Sequence, residues 1–154
     1  MTRKESFEKW GDIKIEQFTS FSLLFRKEFC DWEQTKEFEV LINISEADDI
    51  SERQENELKA FWNNSKDYFE RSKKEIWNYI KLDRENGNHL VPKNLSENIP
   101  MFVVPKSISL TRDGDDNPTC LCLLFDYKFD DEGICVMFRN GEIVETGSQD
   151  LLVC

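Results

Sequence analysis

The chain predicts an α+β fold, an antiparallel β-sheet with a helical hairpin or kinked helix pair packed on one face. Three observations predict it. Apolar residues alternate with period two early in the chain, recur at helical spacing through the middle, and alternate again after residue 101. At 154 residues the chain has the length of one domain. We therefore expect a single domain over 1–154, β-rich over 1–50, helical over 51–88 and β-rich again over 101–150.

Within the first region, "DIKIEQF" alternates through Ile13 and Ile15, and "SFSLLFRKEF" puts Phe21, Leu23 and Phe25 on one face. "KEFEVLINI" sets Phe38, Val40, Ile42 and Ile44 against Glu37 and Glu39, the pattern of an antiparallel strand with one solvated face. The middle carries a stripe of Leu58, Trp62, Phe69, Ile76 and Ile80, broadened by Phe61, Tyr68 and Trp77. Ser51 and Gln54 have capping-box spacing, and Gly87 suits a helix stop. Asn63, Asn64 and Ser65 are weak helix formers, which favours a helical pair over one long rod.

After a polar connection over 88–100, strand signals return in "VVPKSISLTR", "TCLCLLFDYKF", "GICVMFR" and "EIVETG". "RNGE" predicts a type I′ hairpin, because Asn140 and Gly141 both accept positive φ. Its register pairs Arg139 with Glu142, Phe138 with Ile143, and Met137 with Val144. The run from Cys120 to Phe129 is apolar on both faces, as a central strand would be. Asp130, Asp131, Glu132 and Gly133 then fall in a connection between paired strands.

Composition excludes several function classes. Hydrophobic residues make up 39% of the chain, with twelve Phe and four Trp, enough to build a core. The net charge is −11, so nucleic acid and anionic membrane are excluded as partners and a basic protein is the natural complement. Residues 1–50 carry 7 basic and 12 acidic side chains, 51–88 carry 8 and 8, and 89–154 carry 5 and 11. The excess negative charge thus belongs to the sheet and its loops. There is no apolar run of membrane-spanning length, and "MTRKESFEKW" is not followed by a signal core. Five cysteines, an odd number, fit reduced thiols, and together these features predict a cytoplasmic protein.

Motifs for chemistry fail on inspection. "DGDDN" at 113–117 lacks the Gly and Glu that a calcium loop needs, since Pro118 and Leu124 occupy those positions. Cys120 and Cys122 share a strand face but lack further nearby ligands for a structural zinc, so they read as buried apolar residues. Cys154 is expected to be exposed. His89 has no nucleophile or orienting acid around it, and the six glycines form no phosphate-binding loop. We expect no catalytic residue, no metal and no cofactor.

Two segments together resemble a known family. "ISERQENELKAFW…IWNYIK", with Ile50, Gln54, Leu58, Phe61 and Tyr79, resembles the helical pair of a family of small bacterial proteins catalogued as a domain of unknown function. The hairpin resembles its C-terminal signature through Phe129, Asp130, Glu132, Gly133, Asn140, Gly141, Gly147, Gln149 and Asp150. A His between the Glu and the Gly of that signature is absent here. Several members are regarded as candidate immunity proteins of polymorphic toxin systems. The resemblance implies a non-enzymatic inhibitor whose partner is the C-terminal toxin domain of a secreted effector, a basic nuclease being the natural target. On that reading the partner-binding residues are Asp113, Asp115 and Asp116 in one loop and Asp130, Asp131 and Glu132 in another. The acidic strands around Glu37, Glu39, Asp48 and Asp49 are the other candidate surface. The alternatives are a non-catalytic regulatory or interaction domain, or a carboxylate-dependent hydrolase.

Overall fold

The computed structural model describes every residue except Glu33, residues 45–48 and Cys154, and of Val153 only the backbone. The expectations about Asp48 and Cys154 therefore lie outside the described residues. Three helices, α1 (Arg3–Gly11), α2 (Glu52–Asn63) and α3 (Ser65–Glu85), accompany one seven-stranded sheet. Its strands stand side by side in chain order: β1 (Ile15–Phe18), β2 (Ser22–Cys30), β3 (Thr35–Asn43), β4 (Val103–Leu110), β5 (Leu121–Tyr127), β6 (Asp130–Arg139) and β7 (Glu142–Gly147). The α+β fold with a mostly antiparallel sheet is as the sequence predicts. β3 and β4 depart from it: they run parallel, with Glu39 opposite Ser107 and Ile42 opposite Leu110. Parallel neighbours need a long crossover, and the chain supplies one through α2 and α3.

The helical segment is two helices. The Ser51 side chain accepts from the Gln54 N–H while the Gln54 side chain accepts from the Ser51 N–H, a complete capping box that starts α2. Asn64 interrupts the run at φ −138°, and its side chain donates back to the Ala60 carbonyl at 3.0 Å. Gly87 adopts φ +106° just past α3, the left-handed stop expected of it. Among the described residues no helix is long and apolar enough to cross a membrane.

Helical and sheet stripes meet in one aromatic core. Phe61 and Phe69 are fully buried, Phe61 against Phe29 of β2 at 4.9 Å between ring centroids and Phe69 against Phe38 of β3 at 5.5 Å. Tyr68 reaches Phe138 of β6 at 4.6 Å. Trp32 stacks on Phe125 at 5.6 Å and donates its indole N–H to the Phe69 carbonyl at 2.6 Å. Trp62 is half-buried and fills the gap between β2 and α1, edge-on to Phe7 at 5.3 Å. The opposite sheet face carries a smaller cluster of Cys120, Cys122 and Cys135, covered by Leu151 and Leu152 of the C-terminal 3-10 turn Gln149–Val153. The two cysteines of "CLC" are thus buried as expected.

Three local expectations are corrected. Residues 3–11, read as part of a β-rich region, form α1, whose N-terminus the Thr2 side chain caps by accepting from the Glu5 N–H. The Asp49 carboxylate adds acceptors for the Arg3 and Lys4 N–H groups, so a tertiary contact completes this short helix. Phe21 precedes β2 and is exposed, while Leu23 and Phe25 face the core. In the "RNGE" hairpin Asn140 and Gly141 take φ +53° and +77°, and Arg139–Glu142 and Phe138–Ile143 pair as predicted. Met137, however, lies opposite Glu145, because a bulge at Val144 shifts the register.

Gln54 has a further task. Its side-chain amide donates to the Asn43 carbonyl (2.7 Å) at the end of β3 and to the Thr111 carbonyl (3.1 Å) beyond β4. Replacing it as Gln54→Met keeps the length and loses its side-chain hydrogen bonds. Denaturant unfolding is expected to show a loss of about 3 kcal/mol.

Candidate functional site

The acids of the opening of β6 do not sit in a loop. Lys128 and Phe129 make the turn, Tyr127 pairs with Asp130, and Asp130, Asp131 and Glu132 are the first residues of β6. The next pair is Phe125 with Ile134, so Asp126 alone on β5 faces residues 131–133. This wide bulge turns on Gly133 at φ +67°. A Cβ on Gly133 would lie 2.5 Å from both the Phe125 carbonyl oxygen and Gln149 Nε2. Gln149 reaches across the glycine to donate to that carbonyl at 3.4 Å. Gly133 and Gln149 therefore build the bulge and bring the C-terminal turn beside the acids.

The result is a group of carboxylates that repel one another. Asp150 and then Asp130 raise the proton affinity of Glu132 above the ordinary carboxylate level. Asp130 Oδ1 accepts from the Glu132 N–H at 3.0 Å, which fixes the local backbone. Asp83, near the end of α3, accepts from the Tyr127 hydroxyl at 3.0 Å and from the Asn88 amide at 2.7 Å. Tyr79 resists ionisation because of burial and then because of Asp83, Asp130, Glu132 and Asp150. Among the described residues no Lys or Arg forms an ion pair with Asp130, Asp131 or Glu132. Asp131 and Glu132 are exposed and Asp130 is half-buried.

Elsewhere most of the predicted acids are occupied. The 113–116 loop lies at the other end of β5, whose seven residues span roughly 20 Å, so the two acidic segments do not form one patch. Asp113 is turned inward, with its side chain 6% exposed. Burial pushes its affinity for a proton up, but hydrogen bonds from Ser51, the Thr119 N–H and Arg53 outweigh that and hold it below the usual range. Asp115 is fully exposed and meets Arg53 at 3.4 Å, while Asp116 is exposed. On the N-terminal strands Arg26 gathers Glu16 at 2.7 Å, Glu39 at 2.9 Å and Glu37 at 4.0 Å. Asp49 serves α1. Asp83 and Tyr127 escaped the sequence reading, and Tyr79 was named only within the helical resemblance, because the helix end and β5 meet only in three dimensions. Asp150 was named by the signature, but nothing in its spacing placed it beside Glu132.

Two concavities lie away from this acidic turn. One, of about 650 Å³ on the face opposite the helices, is bordered by Phe21, Arg112, Arg139, Glu145 and Leu152. Its two arginines make it the wrong charge for a basic partner. The other, about 200 Å³, lies between α2 and the hairpin tip and contains the buried Glu57. Burial raises the affinity of Glu57 for a proton, although the Asn140 N–H and Arg139 pull it down. Among the described residues no group of three or more His, Cys, Asp or Glu side chains is arranged to hold a metal ion.

The molecule is thus an α+β protein with helices on one sheet face and, at one sheet end, an acidic turn whose Asp130, Asp131 and Glu132 form no ion pair with a Lys or Arg among the described residues. It belongs to the family described as the domain of unknown function DUF6985, whose model matches residues 9–153. No curated protein and no solved structure matches the chain.

Two outcomes test this site. Gly133→Ala is expected to lose about 2 kcal/mol or more, because an L side chain is strained there and meets backbone. Proteolysis near residue 149 should accelerate with it as the C-terminal turn loosens. Glu132 binds its proton more tightly folded than unfolded, so its contribution to stability is present below pH about 4.3 and is lost as pH rises through the raised folded value. Glu132→Gln should therefore flatten the decline in thermal midpoint from acid to neutral pH.

Proposed function

We propose that the chain is a non-catalytic binding protein that neutralises a basic partner through the acidic turn at the start of β6. The partner class we favour is the toxin domain of a secreted effector, with this protein as its cytoplasmic immunity factor. One observation carries the reading: Asp130 and Glu132 are held close to Asp150 against their mutual repulsion, Asp131 lies exposed between them, and Asp130, Asp131 and Glu132 form no ion pair with a Lys or Arg among the described residues. Like charges held close raise the free energy of the unbound surface. A cationic surface docked there relieves that repulsion and gains attraction, while the long-range field steers encounter. A nuclease presents such a surface in the cleft that binds phosphates, and the carboxylates would occupy the positions of those phosphates. The resemblance of the helical pair and hairpin to candidate immunity proteins supports this partner class.

Co-expression with the toxic C-terminal domain of a secreted protein encoded beside this chain should restore growth and yield a complex on gel filtration. Neither rescue nor complex would overturn the toxin reading. Converting Asp130 and Asp131 to Asn and Glu132 to Gln should slow association and flatten its salt dependence, because screening acts over about 8 Å at physiological ionic strength. The same change at Glu52 and Glu55 of α2 should leave stopped-flow association near the wild-type rate. Equal slowing by both sets would place the interface elsewhere.

A further inference from the structure

The concavity of about 650 Å³ on the sheet face opposite the helices has a charge opposite to that of the whole molecule. Its border carries two cations, Arg112 and Arg139, against one acid, Glu145, a net +1 in a chain of net −11. With 31 acids to 20 bases, carboxylate partners for an arginine are plentiful. Arg3, Arg26, Arg53 and Arg71 each take one, and Arg84 donates to the Lys93 carbonyl at 3.1 Å. Arg112 and Arg139 form no ion pair among the described residues, and both border this one space. Arg139 is held in place by donating Nη2 to the Pro118 carbonyl at 2.9 Å. Arg112 is exposed, and its side chain makes no hydrogen bond among the described residues. Charges at a border act across the space they enclose, whichever way each guanidinium points.

Much of the remaining border is apolar. Phe21 is 70% exposed and Val144 49%, and Met137 and Leu152 join them around the space. The volume lies in the range of small-molecule sites, roughly 300–1,000 Å³. Charge selects the head group. One negative charge offsets the local excess, whereas a second would face Glu145 in a molecule already acidic. The planar fork of an arginine matches the two oxygens of a carboxylate. We propose that this concavity binds a small carboxylic acid with an apolar body, the carboxylate paired with Arg112 and the body laid over Phe21, Met137, Val144 and Leu152. Thr111, Arg112 and Cys120 place the site at the beginning of β5, the end away from the acidic turn. It does not depend on that turn's role, and its test stands or fails separately.

The test is an NMR titration of the intact protein with octanoate below its micellar concentration, and in parallel with octanamide, octylammonium and acetate. Octanoate should give saturable shifts at the Arg112, Val144 and Leu152 amides. Octanamide, which keeps the body and loses the charge, should bind there about tenfold more weakly or less. Octylammonium and acetate should give no saturable shift at those amides. Arg112 and Phe21 are both exposed, so each can be replaced without disturbing the core. Arg112→Gln should lower octanoate affinity about ten- to a hundredfold and leave octanamide affinity unchanged. Phe21→Ser should weaken both. Equal affinity for octanoate and octanamide, or no saturable octanoate shift at those amides, would overturn the proposal. So would octanoate affinity unchanged by Arg112→Gln or by Phe21→Ser.

Discussion

The parallel junction between β3 and β4 is the constraint on which the rest of the fold depends, and Gln54 is the residue that secures it. Two antiparallel meanders, β1–β2–β3 and β4 to β7, become one sheet only if the chain returns to the starting end of β3 before entering β4. The helical pair is that return, and its first turn must be anchored where the two meanders meet. Gln54 does this while fully buried, since each of its polar atoms is used. Its oxygen closes the capping box, and its amide ties the carbonyls that end β3 and follow β4. A buried amide is costly unless satisfied, so this position rewards one alignment of helix and sheet over its neighbours.

Periodicity made most of this architecture legible. The stripe from Leu58 to Ile80 and the alternation from Phe38 to Ile44 each identify a face, and burial follows both. What periodicity could not show is pairing between distant segments. The parallel β3–β4 contact leaves no mark on either strand, because a strand flanked on both sides has the same side-chain alternation in either direction. α1 had local signals in Thr2, Glu5, Phe7 and Trp10, but its nine residues are too few for helical spacing to compete with the strands that follow. The bulges at Val144 and around Asp126 were hidden because each adds residues without changing the hydrophobic sequence that defines the strand.

The acids show the same division between what composition reveals and what folding decides. Counting charges located the excess on the sheet and its loops, and that count is a property of the sequence alone. It could not separate acids with internal work from acids without it. Asp113 and Asp49 look like surface carboxylates in sequence, yet one knits a loop to α2 and the other completes the N-terminus of α1. Glu57, one acid among the balanced charges of the helical segment, is buried against the hairpin tip. Arg53 and Arg26 then offset much of what remains on the 113–116 loop and on β2 and β3.

The two ends of β5 consequently have opposite electrostatic characters. At its beginning, Arg53 and a set of hydrogen bonds hold Asp113, and the loop is part of the structure. At its end, the bulge gathers carboxylates, and among the described residues no Lys or Arg pairs with Asp130, Asp131 or Glu132, although Lys106 reaches Asp126 across the bulge at 3.7 Å. The residues that shape that end are not themselves acidic: Gly133 permits the close approach, and Gln149 takes up the Phe125 carbonyl that the bulge leaves outside the ladder. Together they hold Asp150 near Glu132, where a looser C-terminus would let repulsion drive the two apart. Surface ion pairs add little to stability, so the fold would gain little from an ion pair at these acids. That none forms at Asp130, Asp131 or Glu132 among the described residues therefore weighs little in folding, and matters for what the turn can attract from solution.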